Sequence, residues 1–349
     1  MVQDEVIKKA IEDKKNELRN SVYIYINVYG RQYSQELIKE WFSTFCYFKP
    51  YRMSIYSGVR GKTKRYNSDI FDKELMNTKN TSLALSDRSS KNCIEARITR
   101  ATGYFYIKMP SEVLKNVENN FISDYERIFI NLNACFGYIV NSFDDYIVQN
   151  PKTTDVYERY NVNKEDFLDI DKVEIIPCNM HKAEYKIDTS YLPGYRLYYD
   201  EMIFTTAPYM WIGPDYYKFF SKENVDTYDE CDENVEIASG FRRIRLWNNV
   251  DEYNNSIYRK RQWCFRKAIN MDEVIKGLNN KPFIPKDEKS LPDPTMEISK
   301  GEFEHGGELL AKFYVDKKGR ACNKSCADFC IYREMKGNTI VWQEKKKLQ

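Results

Sequence analysis

Seven apolar residues at three- and four-residue spacing, Val113, Leu114, Val117, Phe121, Tyr125, Ile128 and Leu132, follow directly on Pro110-Ser111. They keep one apolar stripe for about five and a half turns at roughly 3.6 residues per turn, so the spacing predicts a long amphipathic helix that needs a hydrophobic surface to lie on. Residues 103–109 and 135–143, rich in β-branched and aromatic side chains, read as the strands that supply it. Upstream, residues 22–29 read as a strand stopped by Gly30. Ser34 then caps a helix carrying Leu37, Ile38, Trp41, Phe42 and Phe45 and ended near Pro50. Residues 53–56 and 93–99 are short strands, and residues 58–92 are a polar excursion with one helical turn around 70–76. Residues 2–19 form a charged amphipathic helix with Val6, Ile7, Ala10, Ile11 and Leu18 near one face.

The resulting order is β-α-β-β-β-α-β. With one strand or excursion removed it is the split β-α-β plan of ferredoxin-like sheets, with helices on one face and the other face free. Residues 144–171, acidic and turn-rich, mark a lobe boundary. Beyond them come strands at 173–177, 202–207 and 209–212, then a short helix from Gly213-Pro214 to Phe220. A hairpin through Ser239-Gly240 and a helix over 256–278 follow. This β-α-β-β-α order suggests a second, diverged copy of the first plan. Pro282, Pro285, Pro292 and Pro294 stiffen a linker to a Cys-containing tail. The expected fold class is α+β: antiparallel sheets with helices on one face, built as two ferredoxin-like-type units at 1–150 and 151–280 and a small C-terminal appendage at 281–349.

Charge narrows the function classes. Lys and Arg number 54 against 52 Asp and Glu in 349 residues, a net +2, which excludes a chain-wide basic field for nucleic acid or membrane. There is no apolar run of membrane-helix length and no signal-peptide start, so the expected location is the cytoplasm. Nine scattered cysteines, an odd number, fit reduced buried thiols better than a disulfide framework. The 28 tyrosines suit half-buried strands and interfaces, although AT-rich codon usage also produces them.

Catalytic signals are sparse. His181 and His305 are the only histidines, which weighs against His-based acid–base or hydrolase chemistry. Cys322, Cys326 and Cys330, with His305, are the candidate zinc ligands. On a rigid helix the first and third sulfurs would stand roughly 12 Å apart, too far for one ion, an objection that lapses if 323–328 is a loop. Cys178 and His181 form another partial ligand pair. Gly61-Lys62-Thr63 has the tail of a phosphate loop without its first glycine, Tyr56 standing there. Glu184-x-Lys186 with Asp169 or Asp171 has metal-nuclease spacing, common by chance in a chain this rich in Glu and Lys. No catalytic residue is assigned.

Two charge clusters remain. Asp226, Asp229, Glu230, Asp232, Glu233 and Glu236 lie within eleven residues and are the candidate partner-binding residues. Arg242, Arg243, Arg245, Arg259, Lys260, Arg261, Arg266 and Lys267 follow, so the same acids also read as a solvated, mutually paired face. As a docking loop they would steer a basic partner. Arg52, Arg60, Lys62, Lys64 and Arg65, interleaved with Tyr51, Tyr56 and Tyr66, form a smaller basic patch of the kind that binds single strands. Nucleic acid is nonetheless not the partner expected.

The string Gly103-Tyr104-Phe105-Tyr106-Ile107-Lys108-Met109-Pro110 before the long helix, the strand Ala134-Cys135-Phe136-Gly137-Tyr138-Ile139, and Ala207-Pro208-Tyr209-Met210-Trp211-Ile212-Gly213-Pro214 before an aromatic short helix belong together. In this order, over roughly residues 20–280, the sequence resembles the type VI immunity family of bacterial polymorphic-toxin systems. Met210-Trp211-Ile212-Gly213 departs from the Trp-Leu-Thr type string common there, and the Cys-rich tail is also foreign to the pattern. The resemblance implies a non-enzymatic cytoplasmic protein of a type VI secretion setting that binds a cognate toxin or effector and neutralises it, with no cofactor. Two readings stay open beside it: a structural or assembly subunit, including a homo-oligomer, and a metal-dependent enzyme using the Cys/His positions.

Overall fold

The computed structural model describes residues 2–29, 35–57, 60–77, 81–98, 102–149, 173–176, 184–187, 192–199, 202–280, 295–337 and 339–348. The chain divides into two compact units, Met1–Lys281 and Pro282–Gln349. In the first, β1 (Ser21–Tyr29) is central. Its alternation sends Val22, Ile24, Ile26 and Val28 to one face, all fully buried, and Tyr23 and Tyr25 to the other. β6 (Thr102–Pro110) and β7 (Phe136–Asn141) flank it, and β5 (Cys93–Ile98) pairs with β6. α2 (Gln35–Phe45) follows β1, and α4 (Ser111–Asn131), the long helix of the apolar stripe, joins β6 to β7. The spatial order β7-β1-β6-β5, antiparallel throughout, is the split β-α-β plan.

The excursion expected at 58–92 is structured instead. It holds β3 (Arg60–Arg65), α3 (Ser68–Leu75) and β4 (Ser82–Ser86), and with β2 (Arg52–Ser57) it extends the sheet past β5. Asn67 caps α3 by accepting from the Ile70 amide. β3 escapes a hydrophobicity reading because it is an edge strand: Gly61–Arg65 are all exposed, so no burial imposes alternation. Gly61-Lys62-Thr63 therefore lies on a strand and not on a phosphate loop.

Beyond β7 the sheet continues through β12 (Tyr209–Ile212), β14 (Phe241–Arg245) and β13 (Glu233–Ala238). The full order is β13-β14-β12-β7-β1-β6-β5-β4-β2-β3. Strands from both sides of the boundary expected near residue 150 thus share one ten-stranded sheet. The second-half order is present as β12, a 3-10 turn at Pro214–Lys218, β13, β14 and α7 (Ser256–Ala268), but these strands extend the first sheet. The strand expected to run to residue 143 ends at Asn141, whose side chain accepts from the Phe143 and Asp144 amides and starts α5 (Ser142–Gln149). The helix expected over 256–278 is broken at Asn270, left-handed at φ 55°, into α7 and α8 (Met271–Asn279). In α1 (Val2–Arg19), Leu18 is buried but Val6 is 63% exposed, so the apolar face is not buried along its whole length.

Two cores result. One lies between one sheet face, β3 excepted, and α2, α3 and α4, from Met53 and Leu83 through Phe105 to Trp211 and Phe241. The other occupies the opposite face only over the β1, β7, β12 and β14 region. There Tyr25, Tyr138, Met210 and Ile244 meet Tyr216, Phe265, Met271 and Ile275. No residue of β2, β3, β4 or β5 belongs to this second core. β8 (Val173–Ile176) pairs with β9 (Glu184–Ile187), and β10 (Leu197–Tyr199) with β11 (Met202–Phe204). The second unit is a meander of β15 (Met296–Lys300), β16 (Leu309–Val315), β17 (Phe329–Lys336) and β18 (Thr339–Lys347). No helix among the described residues is long and apolar enough to cross a membrane.

Candidate docking site at the acidic sheet edge

The acid run occupies α6 (Lys222–Asp226), the loop after it, and β13, the last strand at one end of the sheet. Local chemistry fixes the loop. Ser221 caps α6 by accepting from the Asn224 amide. The Asn234 amide group donates to the Val225 and Tyr228 carbonyls at 3.0 and 2.7 Å, stapling the loop to the strand. Register then decides which acids are neutralised. Glu233 lies opposite Arg245 and Glu236 opposite Arg242. Glu233 bridges Arg243 (2.5 Å) and Arg245 (2.6 Å), Asp232 meets Arg261 (2.6 Å), and Asp226 meets Arg242 (2.9 Å) and Lys222. Glu236 accepts from the Gly240 amide at the left-handed turn residue.

The six acids therefore divide. Asp226, Asp232 and Glu233 are tied to arginines of β14 and α7. Asp229 and Glu230 are exposed at the loop tip, and neither forms an ion pair among the described residues. Glu230 reaches Cys264, whose thiol is raised first by burial and then by that carboxylate. The edge adds exposed Val235 and Glu236 beside the outer backbone groups of a terminal strand, a surface that pairs readily with an extended segment.

Behind this edge α4 brings groups that its apolar stripe gives no reason to single out. Glu126 accepts from the Trp211 indole at 3.1 Å and pairs with Arg243, which thus joins Glu126 to Glu233. Glu118 accepts from the Tyr209 hydroxyl at 2.9 Å, a phenol raised to about 12 by burial and by that carboxylate. A cleft of about 310 Å³ opens here between α4 and β14, lined by Glu118, Asn119, Glu126, Tyr209, Arg243 and Arg245. The only hint in the sequence is the pair Glu118 and Glu126, eight apart on one helix.

The other candidates disperse. Cys330 is buried on β17 and Cys326 is exposed on a 3-10 turn. His305 stacks on Trp342 at 4.3 Å and bonds Glu334 through Nδ1 at 2.8 Å. Among the described residues no group of three or more His, Cys, Asp or Glu side chains could hold a metal ion, so Cys322, Cys326, Cys330 and His305 do not form a site. The eight described cysteines are free thiols. Glu184 and Lys186 lie on β9, while Cys178, His181, Asp169 and Asp171 lie outside the described residues.

No family model matches the chain, and no curated protein matches it. A solved structure of a Pseudomonas aeruginosa T6SS protein is similar over 72% of this chain and 73% of that one, at 8% identity and a TM-score of 0.42. A likeness this slight carries no function across.

Proposed function

We propose that this chain is a non-enzymatic binding protein that receives a basic protein partner at the β13 end of its sheet. As the resemblance to the type VI immunity family implies, that partner is a cognate toxin or effector that the chain neutralises. The observation that supports this reading is the sorting of charge at the edge. The inner acids are consumed by Arg242, Arg243, Arg245 and Arg261, which fix the geometry. Asp229 and Glu230 are exposed and without an ion pair among the described residues, Glu230 beside Cys264, on a stapled loop next to the terminal strand. Preorganised rim charges of this kind steer encounter and select partners more than they stabilise the fold.

The test is charge reversal. Asp229→Lys with Glu230→Lys leaves melting unchanged, because both side chains are exposed. It is expected to lower the association rate for the partner by about tenfold or more at low salt, with the gap closing as salt rises. The partner is the host protein that the wild-type chain captures stoichiometrically and whose growth inhibition co-expression relieves. Capture and relief both unaltered in the double variant would remove the acidic loop from the docking surface.

A further inference from the structure

At the opposite end of the sheet, no residue of β2, β3, β4 or β5 belongs to the second core among the described residues. Arg52 and Arg65 face each other directly across β2 and β3. Like charges placed so destabilise a ladder. The fold then adds a third from the turn between β4 and β5: Arg52, Arg65 and Arg88 all lie around the Tyr51 ring, at 5.9, 5.6 and 5.8 Å from its centroid. All three are exposed, and among the described residues none has an acidic partner. Tyr51 is itself pinned, its amide donating to Ser86 and its carbonyl accepting from Tyr66, each at 2.8 Å. Nearby Asp87 is occupied by Ser89, Asn92 and the Lys91 amide.

The same face continues along the hairpin. Ser54 and Thr63 share a hydrogen bond at 3.0 Å, with small Ala84 beside Ser54 and small Ser86 beside Arg52 on β4. Next comes Tyr56, opposite Gly61 and 41% exposed. Its ring lies so close over Gly61 that a Cβ there would stand 2.2 Å from it. The Tyr56 ring thus lies against the edge strand as a part-exposed aromatic platform. From Arg52 to Tyr56 the strip runs about 13 Å at roughly 3.3 Å per residue. It presents a guanidinium cluster at one end, hydroxyls in the middle and an aromatic face at the other.

We propose that this strip binds single-stranded nucleic acid, with a backbone phosphate in the Arg52, Arg65 and Arg88 cluster and a base stacked on Tyr56. Three unpaired guanidinium groups around one ring create a repulsion that a phosphate relieves, and their fork geometry suits its oxygens. An acidic protein segment would satisfy the arginines but would leave the aromatic platform and the small-residue floor unexplained. The strip is separate from the β13 edge, so this inference and the docking reading stand or fall independently.

The experiment is fluorescence anisotropy of the full chain with labelled oligothymidylate and oligouridylate of about fifteen nucleotides, within the range of single-strand site sizes. Saturable binding is expected, weakening with salt by about 0.7 in log K per unit log salt for each phosphate neutralised. Changing Arg52, Arg65 and Arg88 together to Gln should lower affinity at least about tenfold and flatten the slope by about two units. Tyr56→Ala should weaken binding about fivefold or more with the slope kept, while reversal at Asp229 and Glu230 changes nothing. If the triple variant melts early, Arg88→Gln alone, on an exposed turn, carries the expectation with a slope change of about 0.7. No saturation by about 100 μM protein at low salt, the weak limit of non-specific binding, would overturn the proposal. So would indifference to the arginine changes. Competition by free phosphate at matched ionic strength, or by an oligoglutamate peptide, equal to that of the oligonucleotide and unaffected by Tyr56→Ala, would replace the nucleic acid with a simple anion or an acidic segment.

Discussion

The two halves of the ten-stranded sheet are built from similar strands and do different work. Around β7, β12 and β14 both faces are buried, by α4 on one side and by α7, α8 and the Pro214–Lys218 turn on the other. Charges enclosed there are matched: Arg196 holds Asp145 at 2.6 and 2.7 Å and lies 4.8 Å over the Tyr25 ring, and Arg259 holds Asp144. Around β2 and β4 one face enters a core, Gly61–Arg65 of β3 are exposed, and Arg52, Arg65 and Arg88 stand in solvent with no acidic partner among the described residues. Uncompensated charge is tolerable only where water screens it, so the singly covered half is free to be a surface and the doubly covered half is bound to be a scaffold.

The largest effect that would break this contrast comes from Arg196→Ala. It leaves the buried Asp145 carboxylate without its partner and is expected to destabilise the chain by about 3–5 kcal/mol at neutral pH, read by denaturant melts. Burial already outweighs the guanidinium and holds the Asp145 carboxyl up at about 6. A carboxyl raised in the folded state above its unfolded value of about 3.9 binds more protons folded than unfolded. Its contribution is fully present below that unfolded value and is lost as pH climbs through about 6. The Arg196→Ala deficit should therefore shrink as pH falls below about 6 and be smallest below about 3.9, where Asp145 is protonated in both states. A deficit constant from acid to neutral pH would place Asp145 in contact with water.

A second, smaller effect tests backbone room in the same half. Gly213 follows β12, and its amide donates to Cys135 at 2.9 Å. A Cβ there would meet the Ala134 carbonyl oxygen at 1.8 Å and the Phe241 ring at 3.3 Å. Backbone cannot swing aside, so Gly213→Ala should cost about 1–3 kcal/mol or more, seen as a lower melting midpoint at unchanged denaturant slope.

This contrast also separates what could be read in advance from what could not. The α4 stripe, β1 and the strands before and after α4 were legible because burial on a face imposes a period. β3 was not, because an exposed edge strand has none. The break at Asn270 and the turn at Asn141 depend on one side chain each, an αL residue and a helix-starting amide, which a long apolar run masks. Both signs of charge at 226–267 were visible, but the pairing depends on the β13–β14 register and on Glu126 from α4, more than a hundred residues away from Arg243. Arg88 is likewise remote in sequence from Arg52 and joins it only through strand order.

The smallest effect on stability carries the sharpest comparison, because it is the same substitution in the other half. Gly61→Ala also meets an atom at short range, but here the obstacle is the far end of the Tyr56 side chain, and Tyr56 and Gly61 are both exposed. The ring can rotate off into water, and alanine is no worse than glycine in an edge strand, so melting should shift by about 0.5 kcal/mol or less. The platform, however, would be gone. If the open face works as an aromatic surface, Gly61→Ala should weaken oligothymidylate binding about as much as Tyr56→Ala, with the salt slope intact because no arginine has moved. A variant that kept full affinity would mean that the ring only shields the glycine backbone, and a variant that melted as early as Gly213→Ala would mean that this half is packed as tightly as the other.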